Sequence, residues 1–378
     1  MSKELPKPQG KYQVGTFTFT VYNDREETDF EAQGQMRSIA SRVYYPVDPS
    51  SVENIKKSRY MSREMTNGLA RTFFIPLNYD KSEKNGENLS DCYENAPRIE
   101  GTGFPLIIFN HGYMSYREAN SFLCIELASQ GYVVISITHS YEAIMTELDD
   151  GTKIPMYKNL QKKMIQPFLR GFIEQYKLIR KKGTNEELAR YVDEYQDKYG
   201  RFICDRVPEW EKDIMAVVDY AKKNLSDLID FEKGIGATGH SMGGAVSYAL
   251  CHDEKDFVCG INIDGALFGK HGDKIMDKPF LQLTSEHNVG VVTRGFLKHR
   301  KPAYHVIVKD MQHLGFSDMK HFIPIKSKVG SLDPDIAHEI VTKVHIAFFD
   351  AYLKGSGTEP KFPESENVRS LTIAPDTL

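Results

Sequence analysis

The sequence predicts an α/β fold in which a mostly parallel central sheet is covered by helices on both faces. Short continuous apolar runs, typical of strands buried on both faces, alternate with helical segments along most of the chain. Residues 140–205 interrupt this alternation with helical patterns of their own. We therefore expect a single domain over residues 1–378, with a helical cap inserted at 140–205.

The composition is that of a globular protein with a large core. The chain has 378 residues, of which 40% are hydrophobic and 11% aromatic, and this excludes wholesale disorder. Its formal net charge is −4, so we expect no nucleic-acid partner, because such proteins usually carry a basic excess. The sequence contains no apolar run of about 18 residues that could span a bilayer.

The N-terminus and the cysteines favour a cytoplasmic location. The first ten residues contain charge and proline but no apolar stretch, and so do not resemble a secretory signal. The chain has an odd number of cysteines and no C-x-x-C pair, its cysteines being Cys92, Cys124, Cys204, Cys251 and Cys259. This pattern favours reduced thiols over a disulfide framework or a zinc site.

The elements are predicted in chain order from the apolar pattern. Strands are expected at residues 16–22 and 39–45, and the polar residues 80–103 suggest an exposed loop. Six buried strands are then predicted at residues 104–109, 132–138, 234–238, 257–263, 279–283 and 303–308. The helices of the same region are predicted at residues 118–130, 210–224, 242–251 and 336–353.

Two helices are predicted within the inserted segment. Pro167 fits the first turn of a helix over 167–182 that stops at Gly183. Thr184 and Glu187 match a capping box that opens a second helix through residue 199. The first helix would carry an apolar stripe made of Phe168, Leu169, Phe172, Ile173, Tyr176 and Ile179.

Basic residues accompany this apolar stripe and allow two interpretations. They are Lys162, Lys163, Arg170, Lys177, Arg180, Lys181 and Lys182. The segment could contact a membrane surface through anionic lipids, or the stripe could pack over the active site with solvated lysines outside. We favour the second interpretation, so membrane contact is not predicted. The sequence gives no indication of the oligomeric state.

The motif Gly239-His240-Ser241-Met242-Gly243 fits the pattern G-x-S-x-G between a predicted strand and a predicted helix. A serine at such a sharp turn needs a strained backbone, and glycines two residues away on either side avoid a clash. The hydroxyl then stands above the sheet edge at the N-terminus of a helix. Ser241 is therefore the candidate nucleophile.

The segment Asn110-His111-Gly112-Tyr113 follows the first buried strand. A His-Gly pair in this place commonly shapes a loop whose next backbone N–H points at a developing oxyanion. We predict that the oxyanion hole consists of the backbone N–H groups of Tyr113 and Met242. Chemistry of this kind requires no metal and no organic cofactor.

The candidate base is one of twelve histidines. His313 follows the last predicted buried strand, which gives the chain order Ser, Asp, His. His271 and His287 come too early, and His305 lies within a predicted strand. Two acids could orient the base, since Asp264 ends the strand 257–263 and Glu286 follows the next strand. Spacing alone does not decide between these two carboxylates.

Several of these motifs together resemble the platelet-activating-factor acetylhydrolase branch (plasma, isoform II type) of the α/β hydrolases. The resemblance covers most of the chain outside the insertion. It is carried by Val14-Gly15-Thr16, Arg42-Val43-Tyr44-Tyr45-Pro46, Asn110-His111-Gly112, Gly239-His240-Ser241-Met242-Gly243-Gly244, Ile263-Asp264-Gly265 and His313 with Phe316-Ser317-Asp318.

The resemblance implies an α/β-hydrolase fold, Asp264 as the triad acid and calcium-independent hydrolysis of short acyl esters, including sn-2 acetyl phospholipids. A small-molecule ester or a phospholipid is thus the expected substrate. The alternatives on the same fold are a broad carboxylesterase or polyester-type hydrolase and an acyltransferase. A non-catalytic binding module is disfavoured, because the chain retains candidates for both nucleophile and base.

Overall fold

The computed structural model describes residues 5–27, 34–73, 75, 77–85, 88–101, 103–269 and 274–375. The strands are β1 (Gln13–Glu26), β2 (Met36–Val47), β3 (Lys57–Arg59), β4 (Leu89–Glu94), β5 (Leu106–Asn110), β6 (Val133–Thr138), β7 (Met145–Glu147), β8 (Lys153–Pro155), β9 (Ile235–His240), β10 (Phe257–Ile263), β11 (Phe280–Ser285), β12 (Ala303–Val308) and β13 (Val368–Ile373). The α-helices are α1 (Arg63–Phe73), α2 (Tyr79–Lys84), α3 (Ser121–Ser129), α4 (Lys158–Arg170), α5 (Phe172–Arg180), α6 (Asn185–Tyr195), α7 (Arg201–Asn224), α8 (Met242–Asp253), α9 (Met319–Phe322), α10 (Lys326–Val329) and α11 (Pro334–Tyr352).

The central sheet has the strand order β13-β12-β11-β10-β9-β5-β6-β2-β1-β4-β3. Its middle strands, from β12 to β6, run parallel, whereas β13, β2 and β3 each join a neighbour antiparallel. This confirms the predicted fold class. Gly239 lies beside Asn110 on one side and beside Asn262 on the other, so the carboxyl ends of β5, β9 and β10 meet at one edge.

Alternate residues of each central strand enter two different cores, which explains why the strands are apolar throughout. In β5, Ile108 belongs to the core that contains Trp210 of α7, and Phe109 belongs to the core that contains Phe348 of α11. Helices α7 and α8 thus cover one face of the sheet, and α3 and α11 cover the other. Within the described ranges, none of the helices is long and apolar enough to cross a bilayer.

Two local predictions are wrong. Residues 80–103 are not simply an exposed loop, because β4 pairs with β1 and β3 and buries Ser90 and Cys92. Pro167 does not open a helix but lies near the end of α4. The helix is interrupted at Gly171, where a Cβ atom would lie 2.7 Å from the ring of Tyr199. Helix α5 then begins at Phe172. The capping box of Thr184 and Glu187 is present as predicted.

Most of the apolar stripe of the inserted segment does not cover the active site as we expected, and Ile179 is the member that lines the cavity. Leu169, Phe172 and Ile173 are more than three-fifths exposed, and on α5 the buried residue is Leu178. The prediction assumed one continuous helix from 167 to 182. In the structure, Gly171 separates α4 from α5. Leu169, Phe172 and Ile173 consequently face solvent, whereas Ile179 lines the cavity.

Candidate active site

Ser241 occupies the strained turn between β9 and α8. Its backbone has φ 57° and ψ −120°, a conformation that L-residues rarely adopt and that places the side chain at the helix N-terminus. A Cβ atom on Gly239 would lie 2.4 Å from the carbonyl carbon of Gly243, and one on Gly243 would lie 2.1 Å from the oxygen of Asn110. Both glycines are therefore required sterically.

His313 and Asp264 form a hydrogen-bonded pair beside this turn. The Nδ1 of His313 lies 2.9 Å from Oδ2 of Asp264, so the ring can donate to the carboxylate and direct Nε2 outward. Asp264 is 1% exposed, whereas the His313 side chain is 42% exposed. Ser241, Asp264 and His313 all line the same cavity.

The rival residues lie elsewhere. Glu286 and His287 are exposed and border a different depression beside Asp310. His305 is buried within β12, where it shares a hydrogen bond of 2.9 Å with Thr284 Oγ1. His271 falls outside the described residues. Of the two acids that spacing left open, the structure thus brings Asp264, and not Glu286, to His313.

The loop after β5 is held by buried histidine rings. His111 Nδ1 donates to the carbonyl oxygen of Gly112 at 2.7 Å, and its Nε2 accepts from the backbone N–H of His139 at 3.2 Å. Burial and the nearby His139 ring lower the pKa of His111 to about 3, so the ring stays neutral. Tyr113 lines the cavity, and Met242 is the first residue of α8, where backbone N–H groups have no acceptor within the helix.

A buried cluster of charged side chains contacts this loop. Asp213 of α7 accepts from His139 Nδ1 at 3.0 Å and from Arg37 Nε at 2.9 Å. Arg206 holds Glu142 through two hydrogen bonds, of 2.8 and 2.7 Å. The Arg37 guanidinium and the His139 hydrogen bond lower the pKa of Asp213 below its usual range despite burial. The backbone oxygen of Glu142 in turn accepts from the N–H of Met114 at 3.1 Å.

Two residues of the site, Asn288 and His240, were not predicted from the sequence. Asn288 donates from Nδ2 to Asp264 Oδ2 at 2.8 Å, and the N–H of Ser285 donates to Oδ1 at 2.7 Å, so the carboxylate is oriented by several donors. His240 donates from Nε2 to the backbone oxygen of His313 at 2.9 Å. His240 lies inside the serine motif and could have been considered, whereas nothing in the sequence near Asn288 signals its role.

The cavity above these residues has a volume of about 510 Å³, within the usual range for small-molecule sites. Its lining combines the polar groups just described with apolar side chains. Several of the latter come from the inserted segment, among them Met164 of α4, Leu178 and Ile179 of α5, and Val192 and Tyr195 of α6. Ser241, Asp264 and His313 therefore face a space enclosed in part by the helices between residues 158 and 195.

Comparisons with known proteins agree on one class of enzyme. The family profile described as platelet-activating factor acetylhydrolase, isoform II, matches residues 1–359. The platelet-activating factor acetylhydrolase of Bos taurus is 28% identical over 385 aligned positions, covering 93% of this chain and 77% of its own length. That of Cavia porcellus is 24% identical, with coverages of 92% and 78%.

A solved structure adds evidence on the fold. A ferulic acid esterase from Streptomyces cinnamoneus superposes with a TM-score of 0.68 at 18% identity, covering 97% of this chain and 98% of that one. At this identity the likeness concerns the fold alone. Fold, elbow and relatives together define a serine carboxylic-ester hydrolase of the α/β-hydrolase fold. Within that class, the chain belongs to the family of platelet-activating factor acetylhydrolase, isoform II.

Proposed function

We propose that Ser241, His313 and Asp264 form a catalytic triad that hydrolyses short acyl esters, including the sn-2 acetyl group of phospholipids. The observation that carries this proposal is the 2.9 Å contact between His313 and the buried Asp264, beside the strained Ser241 in one cavity. The names of the relatives support the acetyl phospholipid as substrate.

In this mechanism His313 removes the proton of the Ser241 hydroxyl, and the serine oxygen attacks the ester carbonyl carbon. The backbone N–H groups of Tyr113 and Met242 stabilise the oxyanion. The tetrahedral intermediate expels the alcohol, which takes its proton from His313. Water, deprotonated by the same ring, then attacks the acyl carbonyl carbon. The bond to the Ser241 oxygen breaks, and that oxygen takes the proton back from His313 as the acid is released. Asp264 keeps the His313 ring in the required tautomer and stabilises its charged form.

The nucleophile is tested with a fluorophosphonate probe. We expect labelling at one site, and we expect Ser241→Ala to abolish both labelling and esterase activity. Ser356→Ala, on an exposed serine near the C-terminus, is the matched control and should behave like the unaltered chain. Labelling that persists in Ser241→Ala would reject the assignment.

The substrate class is tested by comparing p-nitrophenyl esters from acetate to palmitate, together with phospholipids that carry an acetyl or a long acyl group at sn-2. We expect acetate and the acetyl phospholipid to be preferred. Equal rates along the series would instead indicate a broad carboxylesterase. Transfer of the acetyl group to an added alcohol in preference to water would indicate an acyltransferase.

We also propose that the chain functions in the cytoplasm. Support comes from the cysteines, all of which are described and none of which forms a disulfide, and four of which are buried. Reduced, buried thiols are typical of reducing compartments. Fractionation of cells that express the full-length chain should recover it with the cytosol, and recovery from the medium would contradict the proposal.

A further inference from the structure

The chain that follows His313 is anchored to the N-terminal end of α3. His313 begins a short 3₁₀ helix, His313–Phe316, and Asp318 immediately precedes α9. The backbone N–H of Asp318 donates to the oxygen of Ala119 at 2.8 Å. The Asp318 residue is only 4% exposed, and an acidic side chain is seldom buried so deeply unless it has hydrogen-bond partners. Those partners lie far from Asp318 in the sequence.

The two segments exchange side-chain hydrogen bonds. Asn120, the residue before α3, donates from Nδ2 to the backbone oxygen of Phe316 at 2.6 Å and makes no capping bond to its own helix. Asp318 provides the cap instead, because its Oδ2 accepts from Ser121 Oγ at 3.0 Å and from the backbone N–H of Phe122 at 3.3 Å. An N–H in the first turn of a helix has no acceptor within that helix. A residue of the chain after His313 therefore caps α3 from outside.

Tyr60 adds a third segment to this contact. Its hydroxyl donates to Oδ2 of Asp318 at 3.0 Å, and its ring packs against those of Phe122 and Phe322, with centres 5.5 and 5.4 Å away. Met319, the neighbour of Asp318, belongs to the same apolar cluster and also lines the catalytic cavity. A displacement of the chain at Asp318 would therefore be transmitted to the wall of the cavity.

We propose that Asp318 is a positioning residue that holds the backbone of His313 in place and so directs its ring toward Ser241. The inference rests on the proposed triad. Asp264 and His240 restrain His313 from the ends of β10 and β9, through its ring and its backbone oxygen, and Asp318 adds a restraint from α3. The His313 side chain is 42% exposed, so packing alone holds it weakly and the position of its backbone matters.

The experiment compares Asp318→Ala with Asp333→Ala, which removes a helix cap elsewhere. Asp333 is exposed and accepts from the N–H groups of Asp335 and Ile336 at the start of α11. Both substitutions remove an acidic cap, but only the first removes a contact of the chain after His313. We expect Asp318→Ala to lower kcat for p-nitrophenyl acetate by about 10- to 100-fold with KM within about twofold, because the geometry of proton transfer is lost and binding is not. Asp333→Ala should keep both constants.

Two further variants separate positioning from a loss of fold. Burial raises the pKa of Asp318 to about 8, so near neutral pH the carboxyl is largely a neutral acid, which Asp318→Asn imitates in shape. This variant keeps an acceptor oxygen and should retain kcat to within about threefold. Asn120→Ala removes the hydrogen bond to Phe316 but leaves the carboxyl of Asp318, and should also lower kcat at unchanged KM. All rates are measured well below each melting temperature, and Asn120→Ala decides the test if Asp318→Ala does not fold.

A spectroscopic measurement makes the outcome independent of catalysis. The proton on Nδ1 of His313, in its 2.9 Å contact with Asp264, should give a downfield proton resonance that His313→Gln removes. We expect this resonance in the unaltered chain and in Asp333→Ala, and its broadening or loss in Asp318→Ala. If the unaltered chain hydrolyses no ester, the proposed function fails and the resonance still decides the role of Asp318. The inference is overturned if folded Asp318→Ala keeps the resonance and kcat, or if Asp333→Ala loses as much of either.

Discussion

The ring of His240 donates a hydrogen bond from Nε2 to the backbone oxygen of His313 across 2.9 Å. The residue that precedes Ser241 is thereby linked to the loop that carries His313. The two rings also pack together, with their centres 4.5 Å apart. One side chain thus fixes the position of the turn at Ser241 relative to the loop at His313, although His240 and His313 are 73 positions apart in the sequence.

Removing the hydrogen bond between His240 and His313 should slow catalysis without removing any proposed catalytic group. We expect His240→Phe to lower kcat/KM for p-nitrophenyl acetate by roughly 10- to 100-fold, because small displacements of reacting groups are costly. His240→Gln, which can still donate, should lose less. Burial lowers the pKa of His240 to about 3, so its charge does not change near neutrality and His240→Gln should keep the original pH–rate profile. A shifted profile would contradict a purely positional role.

The acid of the proposed triad can be tested by two matched amides. Asp264→Asn should lower kcat by about 10⁴, as in comparable serine triads, because the tautomer of His313 is no longer fixed. Glu286→Gln should stay within about twofold, because surface substitutions cost little. Both variants should be shown to be folded by thermal melts before kcat is compared. The opposite ranking would assign the role to Glu286.

The close approach at the elbow predicts a steric effect on stability. Gly243→Ala would place a Cβ atom 2.1 Å from the oxygen of Asn110, and overpacking of this kind costs about 1–3 kcal/mol of unfolding free energy. Gly290→Ala is the control, since the nearest atom would lie 3.9 Å away. Urea denaturation should separate the two variants, and equal midpoints would show that the elbow can relax around a methyl group.

Stability should fall as the pH drops below the ordinary pKa of histidine. Burial lowers the pKa of His111 to about 3 and that of His345 to about 4, so between these values and about 6.5 the unfolded chain binds protons that the folded chain does not. Each such histidine contributes a slope of about 1.4 kcal/mol per pH unit, with stability lost on acidification.

His345 allows this slope to be measured away from the catalytic cavity. Its Nδ1 donates to the oxygen of Val341 at 2.7 Å, and its Nε2 lies 3.0 Å from Thr238 Oγ1. His345→Gln should reduce the loss of unfolding free energy between pH 6 and pH 5 by about 1.2 kcal/mol, measured by urea denaturation at each pH. An unchanged slope would mean that His345 is protonated in the folded protein.

The sequence predicted those parts of the fold that depend on local pattern. The buried strands and the elbow are encoded by continuous apolar runs and by glycine spacing, and the parallel sheet and the strained Ser241 follow from them. The capping box at Thr184 is equally local. The choice between Asp264 and Glu286 required three-dimensional information, because both follow strands at the same sheet edge.

The inserted segment was less predictable, for a physical reason. The apolar pattern of residues 168–179 gives a helical period but does not identify the surface that the helix contacts. The direction of α5 depends on the break at Gly171 and on its close approach to Tyr199, a contact between residues 28 positions apart. Asn288 was not predicted as a site residue for the same reason, because its contact with Asp264 exists only in the folded chain.

The double hydrogen bond between Glu142 and Arg206 joins two residues at the ends of the inserted segment. Because these hydrogen bonds hold the two ends of the segment together, the chain between them can change in length or sequence while Glu142 and Arg206 stay side by side. Loop-closure entropy grows only slowly with length, so a change of length by itself costs little closure entropy. The region between Glu142 and Arg206 is thus suited to replacement by helices from other esterases. Such a replacement would alter which esters enter the cavity.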